Sequence, residues 1–177
     1  GFPLVFADFA LLTESQLRAY ARELPAFGTA WLPQATFGWT AALVGAEWFW
    51  HRALNFALHA LTVLVAFALF CRIVPAAVGG ESRIASGWVA FAAAALFAVH
   101  PVAVYGVAYL AARDALLTGL FALVALWAVV RAREAHGRAA ALAAVAATGL
   151  ALACSPDAAG IPLAMALVVA ALPAPAP

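Results

Sequence analysis

Of the 177 residues, 68% are hydrophobic and only 10% charged, with a formal net charge of +1. An average globular domain is about half apolar and about a quarter charged, so this composition excludes an ordinary soluble fold and predicts an all-α integral membrane protein. A charge so near zero, with no clustered basic face, excludes a nucleic-acid partner and leaves membrane lipids as the first expected one.

The charged residues fall between long apolar stretches, as expected where hydrocarbon is the solvent. All nine basic residues are arginine and alanine is abundant, the usage of a GC-rich bacterial genome, so the expected location is a bacterial inner membrane. The chain opens at Gly1 without a charged segment, apolar core and cleavage site, and it closes on an Ala/Pro tail. Both ends are expected to continue into a longer polypeptide.

Along the chain, Thr13 to Leu24 reads as a short amphipathic helix, with Thr13 and Gln16 in a capping-box pattern and Pro25 as its stop. Leu17, Tyr20, Ala21 and Leu24 share one face, which predicts a helix lying on the membrane surface within an outer-face region 1–47. The clearest span runs from Trp48 to Arg72, with Trp48 and Trp50 as interfacial anchors. Gly38 to Ala46 is apolar but too short to cross alone. A second span, from Ser86, is expected to end near His100-Pro101, because proline disfavours helical geometry in the residue before it.

A third span is expected over Ala115 to Val130, followed by a loop at Arg131 to Arg138. Ala139 to Cys154 and Gly160 to Leu172 then read as a hairpin around Ser155-Pro156-Asp157, for about five transmembrane helices in a bundle over 48–173 and a tail at 174–177. The arginines at 72, 83, 131, 133 and 138 put one set of loops inside, which leaves the 1–47 region on the outer, periplasmic face. Cys71 and Cys154 then lie a bilayer apart, too far for a disulfide.

Polar groups within or beside the spans are costly to bury and are the candidates for function. Asp8, His51, His100, Tyr105, Arg113, Asp114 and Asp157 lie at the outer ends of the spans and are expected to converge on one outward-facing cavity. Arg113 beside Asp114 suits either a lipid phosphate or a local ion pair, and His100 either a helix cap or catalysis. His59 falls mid-span and needs a hydrogen-bond partner or a ligand such as haem or bacteriochlorophyll. No metal-ligand spacing is present.

Leu96-Phe97-Ala98-Val99-His100-Pro101-Val102, Val107-Ala108-Tyr109, Arg113 and Leu116-Leu117 together resemble the second-loop signature of GT-C glycosyltransferases linked to tetratricopeptide repeats. His51 to Asn55 with Leu58-His59, Ser155-Pro156-Asp157 with Pro162, and Val5 to Asp8 are similar to that family's preceding helix, later turn and first-loop acidic motif. The resemblance implies transfer from a polyprenyl-phosphate sugar, with Asp8 as the catalytic base and Arg113, Asp114, His100 and Asp157 as lipid-phosphate or substrate contacts. Departures fall on the charged positions: Ala7 stands for one of two adjacent acids, Tyr105 for a Glu, Ala115 for an acid, and Pro156-Asp157 for Lys-Glu. Pro in place of Lys removes a phosphate-binding charge. Framing residues kept and charged residues lost predict a degenerate, non-catalytic scaffold or accessory subunit of a larger membrane complex, with no cofactor. The alternative is a fragment of an active enzyme that uses the polyprenyl-phosphate sugar as donor.

Overall fold

A backbone that enters hydrocarbon must satisfy its own polar groups, and the helix does so within one segment. The computed structural model describes residues 14–22, 30–45, 47–77, 83–135 and 137–171, and these are helical without a strand among them. The helices are α1 (Glu14–Arg22), α2 (Trp31–Val44), α3 (Trp48–Ala77), α4 (Arg83–Val99), α5 (Pro101–Ala108), α6 (Arg113–Ala135), α7 (Arg138–Leu152) and α8 (Ile161–Ala171). Short 3₁₀ turns at Leu110–Ala112 and Pro156–Gly160 lead into α6 and α8.

Contacts between side chains fix the directions of these helices. Asn55 near the start of α3 meets Arg113 at the start of α6, and Arg72 near the end of α3 pairs with Glu134 near the end of α6. The two long helices therefore run parallel, with α4 antiparallel between them in sequence: His59 of α3 meets Ala98 of α4. Helix α7 returns along α6, and α8 runs back so that Arg133 bonds the Val169 carbonyl. One end of the bundle thus holds His51, Asn55 and Arg113, and the other holds Arg72, Arg131 and Arg133.

Among the described residues two helices are long and apolar enough to cross a membrane, Trp48–Ala76 with 29 residues and Leu110–Glu134 with 25. At about 1.5 Å per residue both exceed a hydrocarbon core of about 30 Å. Ala85–Val99 and Pro101–Ala108 together make a third if they count as one helix bent by 52°. The C-terminal arms, 15 and 11 residues long, fall short of that length, so the described helices account for two or three crossings against the five expected.

As expected, α4 ends at Val99 beside His100-Pro101, and the chain resumes from Pro101 as the separate helix α5. Two further expectations are corrected. Arg131 and Arg133 lie in the last turns of α6 rather than in a loop, where a cation complements the carbonyl end of the helix. On α1, Leu17 turns to protein rather than to a membrane surface: it is fully buried against Phe37 and Leu110, with Tyr20 and Trp48 packed around them. Thr13, Leu24 and Pro25 lie outside the described residues, as do the tail and Asp8. Both cysteines are free, Cys71 exposed and Cys154 buried.

The break at Pro101 shows how the bundle handles a lost hydrogen bond. Proline has no N–H for the Phe97 carbonyl, which takes the His100 N–H instead, at 3.3 Å. The Val102 N–H turns to the His100 ring Nδ1, 3.3 Å away, and so leaves the Ala98 carbonyl free. His59 reaches across from α3 and places Nε2 3.0 Å from that carbonyl. A carbonyl only accepts, so the proton sits on Nε2. The mid-span histidine therefore has its partner in a broken helix.

Replacing His59 by Leu is expected to cost about 1–3 kcal/mol, the penalty for an unsatisfied buried carbonyl, with His59→Gln recovering much of it; thermal unfolding in detergent measures both. Gly106 lets α5 approach α6, since a Cβ there would sit 2.9 Å from Leu116 Cδ2. Gly106→Val is expected to destabilise by about 1–3 kcal/mol, and Leu116→Ala in the same chain to restore part of the loss.

Candidate functional site

On a helix, positions three and four apart share a face. His51, Asn55, His59, Thr62, Ala66 and Leu69 follow that spacing, and all six are buried. Phe56, Leu61, Leu64 and Phe67 occupy the outward surface of the same helix. Helix α3 is therefore polar inside and apolar outside, the arrangement suited to lipid.

Arg113 comes into reach of this stripe because the chain turns back through α5 and the 3₁₀ turn. It stands in the first turn of α6, where the helix dipole disfavours a cation, and it is wholly buried. Its Nε donates to Asn55 Oδ1 at 2.8 Å and its Nη2 to the His51 carbonyl at 2.9 Å. The guanidinium carbon lies 3.7 Å from the centre of the Phe37 ring, which adds a cation–π contact in a desolvated place. Asn55 in turn donates to the carbonyls of Gly106 and Tyr109, each at 3.3 Å. One amide therefore joins α3 to the end of α5 and the start of α6.

The His51 ring packs beside Phe37 and Trp48, with centroids 5.6 and 6.2 Å away. Both of its nitrogens, and Nη1 of Arg113, are buried without a hydrogen-bond partner. The cluster is thus tightly closed by aromatic rings on the α2 side.

The other candidates do not join this cluster. Asp114 Oδ1 accepts from the Ala115 N–H at 2.7 Å, while the hydrogen bonds of Arg113 run to α3. Asp114 also lines a cavity of about 210 Å³ with Tyr20, Gln34 and Phe37. His100 caps α5 and, with Tyr105 and His59, borders a second cavity of about 440 Å³. Asp157 is exposed at the start of its 3₁₀ turn, whose first N–H groups are capped by Ser155. Of the residues expected in one outward cavity, only His51 and Arg113 meet directly, and Asp8 lies outside the described residues.

No group of three His, Cys, Asp or Glu side chains able to hold a metal occurs among the described residues. Sequence reasoning placed Asn55 only within the resemblance and gave Phe37 no role. Asn55 carried a signal, an amide four residues after a histidine on an otherwise apolar helix; Phe37 carried none. Comparison with known proteins gives no match to a protein family, to a curated protein or to a solved structure.

The cluster makes an ordered prediction about stability. Asn55→Leu strands a buried guanidinium and is expected to cost about 3–5 kcal/mol. Arg113→Met removes the charge and keeps an unbranched side chain, leaving mainly one amide oxygen unmet, and is expected to cost less, about 1–3 kcal/mol. Thermal unfolding in detergent gives the order directly.

Proposed function

We propose that this chain is a multi-pass membrane module of degenerate GT-C type that serves as a non-catalytic scaffold or accessory subunit of a larger membrane complex. One observation carries the reading: the arginine that the resemblance assigns to a lipid phosphate is fully enclosed by Asn55, His51 and Phe37 of its own chain. Arg113 in that setting orders three helices, and its one unbonded nitrogen, Nη1, is buried, so a phosphate would reach it only if the surrounding packing opened. The carboxylates support the same reading, since Asp114 accepts from the backbone N–H of Ala115 and Asp157 is exposed on a separate turn.

In this reading the bundle crosses a bacterial inner membrane with its Arg113 end on the periplasmic side. The arginines at 72, 131, 133 and 138 then lie on the cytoplasmic side, as the positive-inside rule requires. The five-span arrangement needs α7 and α8 to cross with partners that lengthen or shield them, which fits a subunit of a larger assembly. Its partners are then lipids and neighbouring membrane subunits.

A second reading, an active transferase that uses a polyprenyl-phosphate sugar, is favoured by the cavity beside Asp114, which Tyr20 and Gln34 also line. The two readings separate in one experiment. Extraction in mild detergent, native electrophoresis and mass spectrometry should find the chain in fixed stoichiometry with other membrane proteins. Asp114→Asn and Asp157→Asn should leave that assembly and its function unchanged. A protein that migrates alone, binds a polyprenyl-phosphate sugar and loses transfer activity with Asp114→Asn would overturn the scaffold reading.

A further inference from the structure

Helices α7 and α8 both pack on α6, and between them lies an open apolar groove of about 740 Å³. Its floor is Val129 and Ala132 of α6, and its walls include Val145 and Gly149 of α7 with Met165 and Val169 of α8. None of the residues of α8 is buried. From Ala141 to Leu152 the groove follows α7 for about 16 Å, a length set by the rise per residue and suited to an extended hydrocarbon chain.

The groove is not uniform along its length. Arg133 lines it at the end where α6 finishes and α7 begins, and the opposite end, at Leu152 and Pro162, carries no charge. Arg133 uses Nη1 to cap the Val169 carbonyl at 2.9 Å, and a guanidinium has further N–H donors to offer. Arg138 is exposed and precedes Ala141 and Val145 by three and seven residues, so it lies on the groove face of α7. The nearby carboxylate, Glu134, is already held by Arg72. Two cations at one mouth of an apolar channel form an amphipathic site: a negative head at the arginines and an apolar chain along the helices.

We propose that this groove holds one molecule of an anionic phospholipid, with its phosphate between Arg133 and Arg138 and an acyl chain beside Gly149. The charged mouth of the site lies at the end of the bundle opposite Arg113, and the groove shares no residue with the Arg113 cluster. It would bridge two helices that otherwise meet mainly through α6, and so would complete the packing of α8 in the membrane. The proposal rests on the reading of the chain as membrane-embedded.

The test uses the full chain reconstituted into vesicles of equal phosphatidylglycerol and phosphatidylcholine, released in mild detergent and weighed by native mass spectrometry. One retained phosphatidylglycerol per chain is expected. Arg138→Gln should lower its occupancy relative to phosphatidylcholine about fivefold, the effect of one interfacial arginine. Gly149→Leu should abolish retention while leaving helical circular dichroism unchanged, because a Cβ at Gly149 meets no atom within 4 Å. Equal retention of the two lipids, or unchanged retention in both variants, would overturn the proposal. Failure of the chain to float with the vesicles would instead overturn the membrane reading beneath it.

Discussion

The structure depends on how buried polar groups find partners where water is absent, and Asn55 is where most of that requirement is met. Its amide accepts from the Arg113 guanidinium and donates to the carbonyls of Gly106 and Tyr109. Those two carbonyls lie where α5 ends, and helix ends leave carbonyls without internal partners. A single side chain therefore satisfies the end of one helix and the charge at the start of the next. Moving α3 away would leave all three groups unmet at once.

The same economy of partners explains the bend between α4 and α5. Pro101 removes one donor, the His100 N–H takes over the Phe97 carbonyl, the His100 ring Nδ1 accepts from the Val102 N–H, and His59 closes the remaining carbonyl from a different helix. A broken helix at membrane depth is tolerated only when neighbours satisfy its freed groups. The two histidines do so here, and the bend opens the cavity lined by His59, His100 and Tyr105. Packing at the bend is tight, because α5 approaches α6 at Gly106 within the space of a missing methyl.

The two ends of the bundle hold their charges differently. At the Arg113 end, α1 and α2 fold over the helix termini, and the Leu32 N–H binds the Ala153 carbonyl at 3.1 Å, which ties α2 to the turn after α7. Charge there is enclosed. At the opposite end Arg72 and Arg131 flank Trp127, 5.7 and 5.9 Å from its ring centre, and Arg131 and Arg138 are exposed. Basic and aromatic side chains together are enriched where helices meet a membrane surface. The enclosed arginine and the open arginines are the same residue type in opposite environments, so residue type alone does not assign their roles.

Composition and hydropathy were enough to establish from sequence alone that the chain is helical and apolar, where its longest helix lies, and that His59 needed a partner. Those are properties of residues and their spacing along one segment. The helical reach of α6 through Arg131 and Arg133 was hidden because a cluster of charges looks like a loop until the dipole of a preceding helix is counted. Tertiary structure alone decided that Leu17 faces protein, that Arg113 turns to Asn55 rather than to Asp114, and that the polar candidates divide among separate places. Each of those outcomes depends on which helices become neighbours, with Phe37 and Arg113 76 positions apart in the chain. Local periodicity carries no information about such pairs; the requirement to satisfy every buried polar group selects them only once the helices have met.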